Sequence, residues 1–310
     1  MYSILFTTIP SIIAVITVFL FAVQKFSKQV QYLIGEKAKV LIEKFTDTPI
    51  RGLLVGTGIT SILQSSSAMT VLLVSIVDAG LLPFKNSLGI IIGANIGTTV
   101  TSQLVALNLL GIAPFILIVG FVLMKVKYRN KYQHLGKPIF YFGLIFSSLF
   151  VISVMTSGLS QNPIVLSIVG YTSNLFFAII IGFVITAILQ SSSVTTAIII
   201  ILASQGILNF SQAFGIILGT NIGTTTTAVL ASLVTGKNGK RVALAHFSFN
   251  VIGVILFIPF IKIFSDIISR LPFDMAGQVA SAHVLFNLSI SVVFLFGFNL
   301  FYKLIMRIIP

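Results

Sequence analysis

Residues 190–193 read Gln190-Ser191-Ser192-Ser193, a polar knot in the apolar run from Leu175 to Gly206. The same four residues stand 126 positions earlier (190 − 64), as Gln64-Ser65-Ser66-Ser67 inside the apolar run Gly52 to Gly80. At the same offset, Gly93-Ala94-Asn95-Ile96-Gly97-Thr98-Thr99 recurs as Gly219-Thr220-Asn221-Ile222-Gly223-Thr224-Thr225. Between residues 56–102 and 182–228, 23 of 47 positions are identical without a gap. Self-similarity at a fixed offset marks an internal duplication, and it governs every later reading of the chain.

Each knot splits its run into halves of about 12 to 13 residues, too short to cross a bilayer that needs about 20. Two short helices meeting at a polar tip describe a re-entrant hairpin. Irregular backbone at membrane depth is tolerated only where protein or a water-filled cavity covers it. The runs that follow, Leu88 to Leu110 and Ala213 to Val234, are expected to span, each interrupted at its glycine-asparagine-threonine segment.

The composition agrees with a membrane location. The 310 residues are 56% apolar and 8% charged, with a mean hydropathy of +1.11, where a soluble domain carries roughly a quarter charged residues. The net charge of +13 invites a nucleic-acid reading, but Lys and Arg sit in short loops between apolar runs, where they set membrane orientation. Nucleic acid is therefore not an expected partner; the lipid bilayer is. The chain has no cysteine, which excludes disulfides and thiolate metal sites. Ile4 to Val23 lacks a basic leader and a small-residue cleavage site, so it reads as a retained helix.

The remaining segments complete an all-α polytopic membrane protein of two inverted-topology repeats. Each repeat has a re-entrant hairpin and a broken transmembrane helix, with interfacial helices and one extra C-terminal helix besides. Lys25 to Lys44 reads as an amphipathic interfacial helix. Ala113 to Met124 and Ile139 to Thr156 span, with the basic loop Lys125 to Lys137 between them. Gln161 to Asn174 is an uncharged connector, and Lys237, Lys240 and Arg241 form a short basic loop. Val242 to Ile263 spans, Ser265 to Ala280 connects, and Ala282 to Met306 is the last helix. Repeat 1 is thus 1–124 with its hairpin at about 52–80, and repeat 2 is 138–263 with its hairpin at about 176–206. Residues 125–137 are the cytoplasmic loop between them, and 264–310 are the connector and final helix. The whole acts as one transmembrane domain.

Charge sets the orientation. If each hairpin returns to the side it entered, each repeat makes three crossings, and the second is inverted relative to the first. With the 125–137 loop cytoplasmic, 17 of 19 basic residues fall on that side, all but Lys262 and Arg270, as the positive-inside tendency demands. The N-terminus is then outside and the C-terminus cytoplasmic, in a multi-pass protein of the cell inner (plasma) membrane.

Paired broken helices in inverted repeats point to a secondary transporter. Ser65 to Ser67 and Ser191 to Ser193 open the second helix of each hairpin, where serine is a favoured cap and the exposed N–H groups attract anions. Gln64 and Gln190 offer a carbonyl to a cation and an amide to an anion. Asn95, Thr98, Thr99, Asn221, Thr224 and Thr225 supply further oxygens. Neither knot contains Lys, Arg or His. A buried anion needs counter-charge, so mobile Na⁺ and the helix ends are expected to supply it, which makes symport natural.

At these residues the chain resembles the type II sodium-dependent phosphate cotransporters, which carry duplicated Gln-Ser-Ser-Ser motifs in inverted repeats. Both Gln-Ser-Ser-Ser knots and both Gly-Ala-Asn-Ile-Gly-Thr-Thr type segments match, over roughly Gly52 to Arg241. The resemblance implies Na⁺-coupled transport of inorganic phosphate, with no enzyme activity and no cofactor beyond the transported ions. It implies phosphate held between the tips by Gln64, Ser65, Ser66, Ser67, Gln190, Ser191, Ser192 and Ser193. Na⁺ would lie at Gln64, Asn95, Thr98, Thr99, Gln190, Asn221, Thr224 and Thr225, with no transition metal. The short loops and the end at Pro310 look like a bacterial member without the C-terminal regulatory domain. A homo-oligomer is compatible with the chain.

Other readings stay open at this stage. The oxyanion is not specified by serine hydroxyls, so a transporter or exporter of another small oxyanion is the alternative. An intramembrane serine hydrolase needs a base beside a serine, and His246 and His283 lie outside both hairpins. An uncoupled anion channel would not need paired inverted breaks. Asp78 is either an extra cation site or a hairpin-mouth residue that caps a helix or pairs with Lys85. Arg51 either steers phosphate or faces lipid headgroups.

Overall fold

The computed structural model describes residues 9–107, 109–125 and 130–310. Residues 4–8 of the expected first span and 126–129 of the basic loop lie outside them. Among the described residues all regular structure is helical. Six helical segments are long and apolar enough to cross a membrane: Pro10–Lys44, Phe84–Ala106, Leu135–Gln161, Phe210–Ser232, Lys237–Ile268 and Met275–Phe296.

The duplication is visible element by element. Helices α1 (Ile9–Lys44), α2 (Pro49–Leu63), α3 (Ser66–Asp78), α4 (Phe84–Ala106) and α5 (Ala113–Lys125) make the first copy. The chain continues through α6 (Asn130–Thr156), α7 (Pro163–Gly170), α8 (Leu175–Leu189), α9 (Ser192–Ser204), α10 (Phe210–Thr224), α11 (Thr226–Ser232) and α12 (Lys237–Phe257). Adding 126 to the bounds of α2 and α3 gives those of α8 and α9, and adding it to the bounds of α4 gives the start of α10 and the end of α11. Helices α13 (Ile261–Ile268), α14 (Met275–Phe296) and α15 (Phe298–Ile308) follow. The arms of each hairpin, 15 and 13 residues, rise only about 20–22 Å, against a hydrocarbon core of about 30 Å.

Four sequence expectations are corrected here. The first is the division of residues 4–44 into a span and a separate interfacial helix: α1 runs unbroken over 36 residues. The corresponding stretch of the second copy is divided, because Gly158, Asn162 and Pro163 end α6 and start α7 with an Asn162 cap. Their counterparts Tyr32, Glu36 and Lys37 all continue a helix. The entry into α8 then bends by 109° from the 163–173 segment.

The second correction concerns the broken helix expected after each hairpin. Helix α4 is continuous through Gly93–Thr99, and its copy is interrupted only at Thr225. The glycines serve close approach instead. A methyl group at Gly93 would lie 2.0 Å from the Leu53 carbonyl oxygen, and one at Gly219 would lie 2.0 Å from that of Ile179. Helices α2 and α4, and α8 and α10, therefore touch backbone to backbone, as small residues permit in membrane helices. Thr57 Oγ1 donates to the Gly93 carbonyl across the first seam (3.1 Å).

The third correction is that Lys237, Lys240 and Arg241 are not loop residues but form the first turns of α12. The fourth is that the expected last helix divides at Gly297 into α14 and α15.

The core lies where the two copies meet. Helix α14 packs on α4, α9 and α10, while α12 packs on α3, α4 and α11. A fully buried Phe214 on α10 centres an aromatic cluster with Phe257, Phe264 and Phe286, which ties α12, α13 and α14 to the second copy.

The seams predict a sharp contrast between glycines. Gly219→Ala should lower the melting temperature and the yield of folded protein, since overpacking a rigid contact costs about 1–3 kcal/mol or more. Gly170→Ala, where nothing lies within 4 Å of the added methyl, should be neutral. Equal melting temperatures for both variants would show that the seam tolerates side chains.

Candidate functional site

Each hairpin turns in two residues. Gln64 (φ 54°, ψ 27°) and Gln190 (φ 52°, ψ 28°) close the first arms in the left-handed region. They are the only non-glycine residues with positive φ among those described. A left-handed residue after a helix is usually glycine, so a glutamine there at both copies costs backbone energy and retains a side chain. The next residue is extended and caps the second arm: Ser65 Oγ accepts from Ala68 N (3.1 Å), and Ser191 Oγ accepts from Val194 N (3.4 Å).

The two tips meet. Thr101 Oγ1 donates to Gln64 Oε1 (2.6 Å) and lies 3.4 Å from Ser193 Oγ, whose hydroxyl reaches the Gln64 carbonyl at 3.5 Å. In the opposite sense, Thr227 Oγ1 lies 3.4 Å from Ser67 Oγ. Thr101 and Thr227 are themselves 126 apart (227 − 101), so each copy's long helix holds the other copy's hairpin. Sequence reasoning missed both threonines. Their signal was available, because they are the last identical pair in the aligned segment.

A cavity of about 300 Å³ opens between the tips and α1, lined by Ser65, Ala68, Gln190 and Ser191 and by α1 residues that include Gln24 and Lys28. It shares Gln31 and Ala68 with a second cavity of about 570 Å³, which reaches Glu36, Lys39 and Ser75. On the other flank of the tip contact, Gln64, Thr101 and Ser193 face Phe19, Phe26, Phe142 and Phe146 across a void of only about 20 Å³, room for about one water.

The expected site residues separate into two groups. Gln64, Ser65, Ser67, Gln190, Ser191 and Ser193 lie at the tip junction. Ser66 and Ser192 belong to the same tips and, like Ser193, are buried in the first turns of α3 and α9. Asn95, Thr98, Thr99, Asn221, Thr224 and Thr225 are buried in the seam helices and do not line the tip cavity. The four threonine hydroxyls donate to carbonyls of their own helices: Asn95, Ile96, Thr220 and Ile222. Asn95 Nδ2 does the same to Ile91.

Asn221 is different, because its Oδ1 lies 3.4 Å from His283 Nε2 while its Nδ2 has no partner. His283 Nδ1 pairs with Ser102 Oγ at 2.6 Å, so α14 links the two copies. A second internal repeat explains this histidine. Val242-Ala243-Leu244-Ala245-His246 leads to Phe249-Asn250, and Val279-Ala280-Ser281-Ala282-His283 leads to Phe286-Asn287, 37 positions on (283 − 246). Both histidines are buried. Ser102 has Ala228 as its counterpart, and neither His246 nitrogen has a partner.

Asp78 and Arg51 lie at hairpin mouths. The Asp78 carboxylate accepts from the N–H groups of Gly236 (3.0 Å) and Gly239 (3.1 Å), at the start of α12. Arg51 donates to both carboxylate oxygens of Asp47 (2.9 and 2.7 Å); that hydrogen bond holds the Asp47 carboxyl below its usual range. The pair is exposed and adds little stability.

Two substitution series test these contacts. Asp78→Asn should lower thermal stability by about 1 kcal/mol, the worth of a helix cap with a favourable charge. A change in ion dependence with unaltered melting would assign Asp78 to ion binding instead. Thr101→Val should weaken the tip contact and function about tenfold, the effect of one lost buried hydrogen bond, whereas Thr17→Val, whose exposed hydroxyl donates only to Ile13 of its own helix, should not. Equal activity in both would remove the tip contact from the functional site.

The model of the Na⁺/Pi-cotransporter family matches the chain at residues 18–154 and again at 149–293. YqeW of Bacillus subtilis (strain 168) is 34% identical over 97% of this chain and 98% of its own length. YjbB of Escherichia coli (strain K12), a protein named for inorganic phosphate export, is 24% identical over 84% of this chain and 48% of its own, so the chain spans about half of that relative. Human sodium-dependent phosphate transport protein 2B is 38% identical over 39% of this chain and 18% of its own. No solved structure matches.

Proposed function

The chain belongs to the Na⁺/Pi-cotransporter family, and from that membership and the tip geometry we propose that it carries inorganic phosphate across a membrane, coupled to Na⁺. The observation that carries the reading is the reciprocal clasp of Thr101 on Ser193 and Thr227 on Ser67 beside a polar cavity. Phosphate sits between the tips. Ser65, Ser191 and Gln190 border the space directly, and the N-terminal ends of α3 and α9 supply N–H groups and partial positive charge. Gln64 and Ser193 stand behind them at the tip contact, and Ser67 borders the adjoining cavity. Ser66 and Ser192 support the tips from the first turns.

Na⁺ binds next to the anion at the Gln64 and Gln190 carbonyls. Asn95, Thr98, Thr99, Asn221, Thr224 and Thr225 act behind it, either as supports or as ligands once a helix carbonyl is released. The two copies are inverted, and access alternates between sides. The paired cavities running along α1 towards Lys39, against the phenylalanine-lined flank, support a state open on one side only. By the charge rule that side is cytoplasmic. Export is the second reading of direction, favoured by the name of the Escherichia coli relative.

Purified protein in liposomes should accumulate radiolabelled phosphate under an inward Na⁺ gradient, and not when K⁺ replaces Na⁺. Arsenate and sulfate as competitors define the oxyanion class. Uptake indifferent to Na⁺ would remove the coupling. Gln64→Gly relaxes the left-handed turn while deleting the side chain, so the variant should fold at least as well and transport at least tenfold more slowly. Undiminished transport would confine Gln64 to a backbone role.

A further inference from the structure

Helix α1 lies outside both hairpins, yet it forms the third wall of the tip cavity. Gln24, Ser27, Lys28 and Gln31 recur at steps of three, one and three, which on a helix is a single stripe. All four line the cavity, opposite Ser65, Gln190 and Ser191. The stripe interrupts a helix that is otherwise apolar enough to span.

Two features of the stripe point to a ligand. Lys28 is exposed to this space and has no ion pair; the only one among the described residues joins Asp47 and Arg51. No carboxylate lines the cavity, and Glu36, two turns further along α1, borders the next one. Ser27, beside Lys28, is 8% exposed, and its buried hydroxyl has no hydrogen-bond partner. The cavity therefore combines an unneutralised ammonium, the N-terminal ends of α3 and α9, and an unsatisfied hydroxyl. The ammonium and the helix ends favour an anion, and the hydroxyl is free to donate to one. The sequence reading found no fixed cation within the tips; the fold brings Lys28, about 40 residues upstream (65 − 28 = 37), to the cavity that they line.

We propose that Lys28 is the fixed positive charge of the anion site: it draws a phosphate-type oxyanion to the tips from the cavity side, with Ser27 as an added donor. This rests on the phosphate-transport reading above. Lys28 sets affinity rather than turnover, because it contacts the anion at entry and belongs to neither hairpin. Lys25 is the internal control. It stands three positions away on the same helix, but its Nζ lies 5.3 Å over the Phe21 ring and it does not line the cavity.

The test uses the full chain in liposomes. Lys28→Met should raise the phosphate KM about tenfold, in the range that steering charges produce, with the maximal rate and Na⁺ activation kept. Lys28→Arg should restore the KM, and Lys25→Met should leave it unchanged. An unaltered KM in Lys28→Met, or the same rise in Lys25→Met, would overturn the proposal. A lipid headgroup offers the same phosphate chemistry, so the series is repeated in neutral and in anionic liposomes; a Lys28 effect that appears only with anionic lipid would overturn it too.

Binding is measured apart from transport. The chain has no cysteine, so Gln31→Cys provides one label site at the cavity. Inorganic phosphate should slow its reaction with a water-soluble maleimide, and adding Lys28→Met should shift that protection to about tenfold higher phosphate. Protection that Lys28→Met does not shift, or no protection at all, would overturn the Lys28 assignment. Protection of Gln31→Cys that shifts with Lys28→Met, together with no phosphate uptake by the wild type in liposomes, would overturn the transport reading alone.

Discussion

The architecture depends on ending a helix inside an apolar run, between two arms that are each too short to cross a bilayer. A helix end leaves unpaired N–H and carbonyl groups, and in hydrocarbon each is expensive. The chain meets this at Gln64-Ser65 and Gln190-Ser191 with a left-handed residue whose N–H returns to the helix, at Thr60 and Thr186, followed by an extended serine that caps the next helix. Neither turn is covered by its own copy alone. Each leans on a threonine from the other copy, so the two breaks close each other, and Ser65, Gln190 and Ser191 give the cavity beside them a polar wall.

Much of this was legible in the sequence because it is written twice. The offset of 126 located both pairs of short helices, and comparison with bilayer thickness marked each arm as too short to span. The role of the Gly93–Thr99 segment was not legible. Glycine, asparagine and threonine in an apolar run describe an unwound helix and a tightly packed one equally well, and only the position of Leu53 and Ile179 across the seam decides for packing. Asp78 was read as either a cation ligand or a mouth residue; its partners, two backbone N–H groups about 160 residues away, carry no side-chain signature. Lys28 was hidden for a similar reason. The charges of 25–44 look like those of a surface helix until the continuity of α1 places its polar stripe beside the tips.

The second internal repeat shows where duplication stops being symmetry. His246 and His283 head equivalent stretches on α12 and α14, which pack on the second arms of the two hairpins, α3 and α9. Yet His283 finds Ser102, whereas Ala228 offers His246 no hydroxyl. One buried histidine is thus a bridge between copies, and the other is an unsatisfied polar group, which is costly in a low-dielectric interior. The two halves share a plan but differ in internal energy.

The glycine seams also divide the molecule mechanically. Where α2 meets α4 and α8 meets α10, peptide backbone comes against peptide backbone at Gly93 and Gly219, and the side chains beside these points are mostly short ones such as Thr57, Thr60, Ala178 and Thr186. The contacts between the tips are of another kind: hydroxyls at 3.4–3.5 Å, at the weak limit of hydrogen bonding. The seams thus bind the first arm of each hairpin to its neighbouring helix more closely than the tip contacts bind one copy to the other, and it is α14, through His283 and Ser102, that fastens the copies together. Parting the tips would leave both the glycine seams and the α14 bridge in place.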